Sequence, residues 1–396
     1  AALVLGQSNI AAGATIGSNH NSRAADGELI AARGFWPALC VSLKHNSKFA
    51  TFTLLSKGDY PCELNILLPF SLVSNDVANN KLIVMPAYWF MYNMYALERN
   101  VYKYSDRDKR TDKTQLLEYN YLAPDSINEI FEALKLLKKF TALAADKNHI
   151  TSEVRLIEEG EKLLNDPNYD INNLEIIAIG FENNHRPTQL VKVREAYNIY
   201  KQLVIFYAVT ELMNYMNRHK LASFEALLQS LPEKPERLEW HNVGGQLLPA
   251  NSVETLLQNI KNGAIQSWDD VHAFYQENNF AYNEQKLQHA YASLLELLNI
   301  SSQQFTAKHF KELLTQAVDI KEWMVKNIYH SRAKDYQNEF RKMVYNNQEE
   351  MEQVLGKLDD NVFIQQQTEE MKFFRDRAHK LINSLVDVKQ TESAVT

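Results

Sequence analysis

The stretch ALVLGQSNIAAGATIGSNHNS, residues 2–22, decides the fold that we predict for this chain. Val4, Ile10 and Ile16 recur every six residues, and glycines lie among the small and polar residues between them. Such a hexapeptide rhythm is typical of parallel β-helices, which bury one apolar side chain on each side of a triangular coil. We therefore predict a left-handed parallel β-helix at the start of the chain.

Downstream of this stretch the six-residue spacing is weaker. It resumes from Leu43 to Val73, although Pro61 is a poor inward-facing residue. Repeat folds bury their apolar face only by stacking about three or more repeats. We therefore assign residues 1–75 to a β-helix end segment and expect earlier coils before Ala1.

An aromatic connector is predicted over residues 76–113. Its aromatic side chains fit either a stacking platform for a base or sugar or a core segment, and we favour the core segment; they are Tyr88, Trp89, Phe90, Tyr92 and Tyr95. The locally basic run KYSDRDKRTDK, residues 103–113, fits either a phosphate clamp or a solvated linker. Its interleaved aspartates favour the linker.

Residues 114–396 have the pattern of helices. All prolines lie at or before Pro249, which permits long helices after it. Ser126, with Glu129 three residues later, predicts a capping box near the first helix start. The predicted fold class is mixed β and α: a left-handed parallel β-helix end segment followed by a larger all-α helical domain.

Composition limits the class of protein. The 396 residues carry a formal net charge of −7, with 45% hydrophobic and 23% charged residues, as in ordinary globular proteins. The negative balance argues against nucleic acid as a partner. Apolar runs at 82–97 and 198–216 are too short or too interrupted to span a membrane. Two cysteines without metal-ligand spacing indicate a reducing, cytoplasmic compartment, and we predict no cofactor and no metal site.

Four segments carry a family resemblance. These are GATIGSNHNSRAADGEL (13–29), SLKHNSKFATFTLLSKGDYPCELNILLPFSLV (42–73), EWHNVGGQLLP (239–249) and SWDDVHAFY (267–275). Together they resemble a Bacteroides-type family of left-handed β-helix proteins whose function is unknown. Some of its members are labelled sugar nucleotidyltransferase-like or UDP-N-acetylglucosamine pyrophosphorylase-like. The resemblance implies the β-helix fold. The glycine-rich signature of a true nucleotidyltransferase domain is absent from this sequence.

His20 is the candidate catalytic residue. Hexapeptide acyltransferases use a histidine near a coil corner as general base, and imidazole suits this role because its ordinary pKa lies near 6.5. Asn19 and Asn21 would orient the substrate. The alternative is a polar corner at which Asn and His are simply tolerated.

Lys44, His45 and Asn46 are candidate substrate-binding residues. The His-Asn pair repeats the pair at residues 20–21, and lysine binds phosphate as a point charge. If the two turns stack, both histidines would share one face. The alternative is two unrelated surface loops.

Trp240, His241, Gly244 and Gly245 form a possible ligand loop. Paired glycines let a backbone approach a ligand closely, but they also simply make turns. The motif lacks the Gly-Lys-Ser/Thr ending of a Walker A loop. A structural turn is the favoured alternative.

Two functions remain open from the sequence. The first is a hexapeptide-repeat transferase acting on a sugar or sugar nucleotide by nucleotidyl or acyl transfer. The second is a non-catalytic oligomerisation or binding module of a larger protein. By analogy with β-helix transferases we expect a homo-oligomer, with a trimer as the default.

Overall fold

The computed structural model describes residues 2–16, 27–145 and 151–385. Its strands are β1 (Ala2–Val4), β2 (Leu29–Ala31), β3 (Trp36–Pro37), β4 (Ser42–Leu43), β5 (Lys48–Phe49), β6 (Leu54–Leu55), β7 (Asp59–Tyr60), β8 (Asn65–Ile66), β9 (Leu72–Asp76), β10 (Lys81–Met85), β11 (Ile176–Ile177), β12 (Thr188–Leu190), β13 (Trp240–Val243) and β14 (Gln246–Pro249). Its helices are α1 (Tyr88–Tyr92), α2 (Met94–Arg107), α3 (Pro124–Ala145), α4 (Glu153–Asn165), α5 (Val193–Arg218), α6 (Phe224–Ser230), α7 (Ala250–Lys261), α8 (Trp268–Leu298), α9 (Ala307–Gln337), α10 (Glu339–Lys342), α11 (Gln348–Leu355) and α12 (Val362–Ser384).

The first strands are very short and pair in parallel. One sheet has the order β1-β2-β5-β8, in which Ala31 pairs with Phe49 and Phe49 with Ile66. A separate pair joins β4 to β7. Since these partners lie 17 or 18 residues apart in sequence, the sheets depend on pairing between distant segments.

The largest sheet mixes both strand directions. Its order is β11-β12-β10-β9-β6-β3, with β3, β6 and β9 in parallel. Strands β9 and β10 pair antiparallel, β12 adds parallel to β10, and β11 adds antiparallel to β12. Segment 176–190 thereby completes a sheet that begins at Trp36.

The predicted left-handed hexapeptide β-helix is wrong. The described strands form four separate sheets of mixed parallel and antiparallel pairing, without the coils of a hexapeptide solenoid. The predicted inward register fails at Ile10, which is 45% exposed. Farther along, Tyr60 is buried where the spacing had placed Pro61, which is exposed.

The predicted all-α domain after residue 114 is also wrong. Strands β11 to β14 lie between Ile176 and Pro249, inside that segment. Two of them belong to the largest sheet, and the other two form a hairpin. The chain is mixed α and β, with several small sheets and a helical C-terminal region.

The chain divides into two compact units, each built from separated segments. Unit 1 consists of the residues up to Tyr92, Asn100–Lys201 and Glu239–Ala281. Unit 2 consists of Asn93–Arg99, Gln202–Leu238 and the residues from Tyr282 onward. The N-terminal sheets and the hairpin of β13 and β14 therefore belong to the same unit.

Unit 1 has an aromatic core. Phe52 and Phe70 stack with ring centroids 5.1 Å apart, and Phe90 meets Phe70 edge to face. Trp89 is buried and donates a hydrogen bond from Nε1 to the Phe52 carbonyl at 2.6 Å. Two of the connector aromatics are therefore core residues. Burial of such rings is a main stabilising contribution in a domain of this size.

Unit 2 is helical and has its own core. Phe224, Phe305 and Phe310 pack with ring centroids 5.5 to 6.2 Å apart. Helix α9 presents a buried stripe at helical spacing and packs on α12; the stripe includes Phe310, Leu314, Ala317, Met324 and Ile328. Among the helices described, none is long and apolar enough to cross a membrane.

Candidate ligand-binding site

The predicted catalytic residue cannot be placed. His20, Asn19 and Asn21 lie in segment 17–26, outside the described residues. Their roles stay predictions.

The second predicted cluster, residues 44–46, lies in the N-terminal β-region. His45 is buried, with Nδ1 3.2 Å from the Gly27 carbonyl oxygen. The side chain of Asn46 is exposed, on a backbone with φ of 63°. None of the residues Lys44, His45 and Asn46 lines the cavity described below. Their substrate-binding role stays a prediction.

The predicted ligand loop is the tip of a β-hairpin. Strands β13 and β14 pair antiparallel, and Gly244 and Gly245 connect them with φ of 63° and 102°. A two-residue hairpin with positive φ at both positions strongly favours glycine. Trp240 is buried in β13, and His241 is exposed. Of the four predicted residues, only the two glycines line a cavity.

This cavity lies within unit 1 and has a volume of about 660 Å³. Three separated parts of the sequence form its wall: the N-terminal segment with Arg33, the segment 100–119, and the hairpin tip. The lining residues are Gly6, Gln7, Asn9, Arg33, Asn100, Lys103, Tyr104, Arg107, Asp108, Arg110, Leu117, Glu118, Tyr119, Gly244 and Gly245. Four of them are basic and two are acidic. The volume falls in the range of small-molecule sites.

Arg33 is a buried side chain that connects two segments of this wall. Its side chain is 1% exposed and makes a bidentate ion pair with Asp125, with both N–O distances at 2.7 Å. Its Nη1 donates to Gln7 Oε1 at 3.1 Å and to the carbonyls of Glu118 and Asn120. Buried charges are retained in proteins when they are paired and hydrogen-bonded in this way. Arg33 therefore joins the N-terminal segment to the 118–125 segment.

A second bidentate pair lies at the cavity surface. Arg110 donates from Nε and Nη2 to the two carboxylate oxygens of Asp108, each at 2.9 Å. The Tyr119 hydroxyl donates to the same carboxylate at 2.9 Å. These hydrogen bonds hold the pKa of Asp108 well below its usual range, with the Arg110 bonds as the largest cause. Asp108 is therefore ionised at neutral pH.

Close packing fixes the hairpin tip in the wall. The Glu118 amide donates to the Gly245 carbonyl at 3.2 Å, and Gln115 Nε2 donates to the Val243 carbonyl at 2.7 Å. A Cβ atom on Gly245 would lie 2.5 Å from Leu117 Cδ2. The φ of 102° favours glycine at this position, and a side chain here would also displace the Leu117 methyl group.

Glu129 lies in helix α3, one turn after Asp125, the residue that pairs with Arg33. Its carboxylate accepts hydrogen bonds from the Thr51 amide at 2.8 Å and the Thr51 hydroxyl at 2.5 Å. Burial raises its pKa to about 7, and the Thr51 hydrogen bonds oppose this shift. Glu129 is not among the lining residues, but its ionisation is coupled to the charges of Asp125 and of the lining residue Arg33.

Sequence reasoning missed most of this site. It favoured a solvated linker for the basic run at 103–113, yet the structure places Lys103, Arg107, Asp108 and Arg110 along the cavity. Within that run, the only signal for a binding site was its excess of positive charge. Nothing local in the sequence links Arg33 to Asp125, 92 residues away.

Comparison with known proteins finds a family described as a domain of unknown function and a relative described as uncharacterized. Residues 223–385 match the family described as Domain of unknown function (DUF6819). An uncharacterized protein of Treponema pallidum (strain Nichols) is 39% identical over 375 residues, covering 93% of this chain and 50% of that protein. The chain therefore spans half the length of this relative. No solved structure matches it.

These matches correct the family resemblance. Neither the family nor the Treponema protein carries the name of a hexapeptide-repeat or nucleotidyltransferase protein. The resemblance to a left-handed β-helix family is therefore wrong. The two matches carry no function, so the predicted transferase activity stays a prediction. The family match covers Gly244 and Gly245 but no other lining residue of the cavity.

Proposed function

We propose that unit 1 is a binding module for a small, polar, negatively charged molecule that occupies this cavity. The observation that carries the proposal is a cavity of about 660 Å³ whose wall is held by side-chain hydrogen bonds and has basic and tyrosine side chains along it. Most small-molecule sites are pre-formed and place a few polar groups on a rigid frame.

The rigidity of the wall supports binding. Gln7 accepts from Arg33 and donates to the Tyr119 carbonyl, while Tyr104 donates to the Ser8 carbonyl. The Gln7–Tyr119 and Tyr104–Ser8 hydrogen bonds connect segments 112 and 96 residues apart in sequence. A pre-organised wall lowers the entropic cost of ordering the site when a ligand binds.

The charges support an anionic ligand. Four basic side chains line the cavity against two acidic ones. Arg107 is exposed and makes no ion pair with any residue in the described part of the chain. A sugar phosphate or sugar nucleotide combines the anionic group with hydroxyls that the polar wall can bind. We propose this ligand class, with the protein as a homo-oligomer in a reducing, cytoplasmic compartment.

A ligand panel tests the proposal. Thermal unfolding and calorimetric titration would compare glucose 1-phosphate, UDP-N-acetylglucosamine, glucose and an acyl-CoA on the whole chain. Saturation at about 100 times the dissociation constant stabilises the folded state by about 2.7 kcal/mol. We expect stabilisation by at least one of the anionic sugars.

Two charge reversals on one helix provide the control. Arg107→Glu should abolish binding, because its side chain lines the cavity. Arg99→Glu changes the same residue type on α2, outside the cavity, and should leave binding unchanged. If no panel member stabilises the wild type, or if Arg107→Glu binds as the wild type does, the proposal is wrong.

A further inference from the structure

We propose that Arg107 and Arg110 form a receptor for a phosphate monoester group of the bound molecule. This inference rests on the proposed function, because it assigns one part of the same cavity. It names the anionic group and the two side chains that bind it. The guanidinium groups of the wall differ in how many of their N–H donors the protein uses.

Arg33 is fully occupied by the protein. A guanidinium has five N–H donors. In Arg33 the Nε and Nη2 groups face Asp125, and Nη1 faces Gln7 and two backbone carbonyls. Its charge is matched by a carboxylate in the same buried cluster. Arg33 therefore holds the wall in place and is not the residue that binds the anion.

Arg110 has donor capacity left. It uses three N–H groups in hydrogen bonds to Asp108 and to the Gln115 carbonyl. Even with the Tyr119 hydroxyl as a further partner, one of the five remains for a ligand. Its side chain is 34% exposed and lines the cavity. The carboxylate of Asp108 fixes the plane of this guanidinium, so the unused edge has a defined direction.

Arg107 supplies the second cation. It is the last residue of α2, three positions before Arg110, and both line the same cavity. An exposed arginine without an ion pair among the described residues gives up no ion pair when it turns toward a ligand. Its guanidinium therefore adds charge to the site at little structural cost.

The charges favour a phosphate monoester over a carboxylate. A phosphate monoester carries about −1.5 to −2 charges at pH 7 and three acceptor oxygens. With the Asp108 carboxylate paired to Arg110, the two guanidinium groups leave one net positive charge, which attracts a dianion more strongly than a monoanion. The two guanidinium groups can also bind different oxygens of the phosphate. A carboxylate carries one charge, and Asp108 already gives Arg110 a carboxylate partner. The receptor therefore favours the dianion.

Three ligands that share one sugar ring test this inference. Calorimetric titration would compare glucose 6-phosphate, glucuronate and glucose on the whole chain, with inorganic phosphate as a fourth probe. We expect glucose 6-phosphate to bind at least tenfold more tightly than glucuronate, glucose to bind more weakly still, and inorganic phosphate to compete with glucose 6-phosphate.

Variants identify the receptor residues. Arg107→Ala and Arg110→Gln should each weaken glucose 6-phosphate binding about tenfold or more, as loss of a charged hydrogen bond does. Arg110→Lys keeps the charge but loses the planar fork, so its affinity should fall between Arg110→Gln and wild type. Arg99→Ala, on the same helix, should bind as wild type does. Unchanged melting temperatures of the free variants would show that the fold is kept.

The outcomes separate this inference from the proposed function. If glucuronate binds as tightly as glucose 6-phosphate, the module binds an anion but the phosphate receptor is wrong. The receptor is also wrong if Arg107→Ala and Arg110→Gln bind glucose 6-phosphate with wild-type affinity. If inorganic phosphate binds and Arg110→Gln abolishes it, the receptor is supported even when none of the ligands used to test the proposed function binds.

Discussion

At the scale of single residues, Glu129 shows how burial changes an ionisation. Its carboxylate is held by Thr51, and burial raises its pKa to about 7 from an ordinary value of 4.5. The folded state therefore keeps this proton over a pH range in which the unfolded chain has lost it. A raised pKa contributes stability that is fully present below pH 4.5 and is lost as pH rises through 7.

Replacing this carboxyl by an amide should remove that pH dependence. We expect Glu129→Gln to be more stable than wild type at pH 8, by roughly 3 kcal/mol at most, because 1.36 kcal/mol accompanies each pKa unit. At pH 4 the two proteins should differ little. Urea unfolding at several pH values measures this difference.

Glu132→Gln changes an exposed carboxyl on the same helix and should keep the wild-type profile. If Glu129→Gln also keeps that profile, Glu129 is ionised normally.

At the scale of elements, the sequence predicted helices better than strands. The helix predicted to start near Ser126 begins at Pro124, and long helices follow Pro249, as the absence of later prolines permits. The capping box failed, however. The Ser126 hydroxyl donates to the Tyr121 carbonyl, and Glu129 binds Thr51 instead of its own helix end. Ser126 binds backbone carbonyls of the segment just before the helix, and Glu129 has a partner 78 residues away that local capping rules do not consider.

The short strands explain the error in the fold class. Strands of two residues carry too little alternation to show a register, so any six-residue coincidence of aliphatic residues looks like a repeat. Ile10 fits the spacing but is exposed. The sheets depend instead on partners such as Ile83 and Gln189, which lie far apart in sequence.

Gly34 permits a tight contact at the turn between β2 and β3. Its φ is 73°, and an added Cβ would lie 2.2 Å from Cδ1 of the Phe52 ring, which stacks on Phe70. Gly34→Ala should therefore destabilise the protein by backbone strain of about 1 kcal/mol or more and by displacement of that ring. Gly180→Ala is the matched control, since its φ is 81° and nothing lies within 4 Å of the added Cβ.

The difference between these two glycine variants isolates the packing contribution. Both variants place an alanine at a positive φ, and only in Gly34→Ala does the added Cβ clash with an aromatic ring. Chemical unfolding should show that Gly34→Ala loses at least about 2 kcal/mol more than Gly180→Ala, a typical cost of overpacking a core. Equal losses would mean that Phe52 moves aside freely and that the aromatic core is not closely packed there.

At the scale of the whole molecule, the candidate site shows what a single sequence leaves open. The paired glycines and the basic run at 103–113 were visible as motifs, and both line the cavity. Their combination was not visible, because Arg33, Asp108 and Gly245 meet only after three distant segments have folded. A basic run with interleaved aspartates is interpreted as a solvated linker when the residues that contact it in the folded protein are unknown. Fold and site were missed for the same reason, namely dependence on contacts between distant segments.

The two compact units should respond oppositely to mild acid. In unit 2, His289 is buried against Tyr207, and burial, together with Arg237 and Lys286, lowers its pKa to about 3. A lowered histidine pKa contributes stability that is present above pH 6.5 and is lost as pH falls toward 3. In unit 1, Glu129 acts in the other direction, because its raised pKa makes the fold more stable as pH falls from 7 to 4.5.

Hydrogen exchange at pH 7 and pH 5, corrected for intrinsic rates, tests this opposition. Amides of α3 should gain protection at pH 5, and amides of α8 around His289 should lose it. His289→Gln should abolish the loss in unit 2, whereas His219→Gln replaces an exposed histidine and should leave it unchanged. Protection that changes in the same direction in both units, in wild type and in His289→Gln, would contradict the opposed titrations. If the expected pattern is found, the pH of maximum stability differs between the units, because each has its own core and its own buried ionisable group.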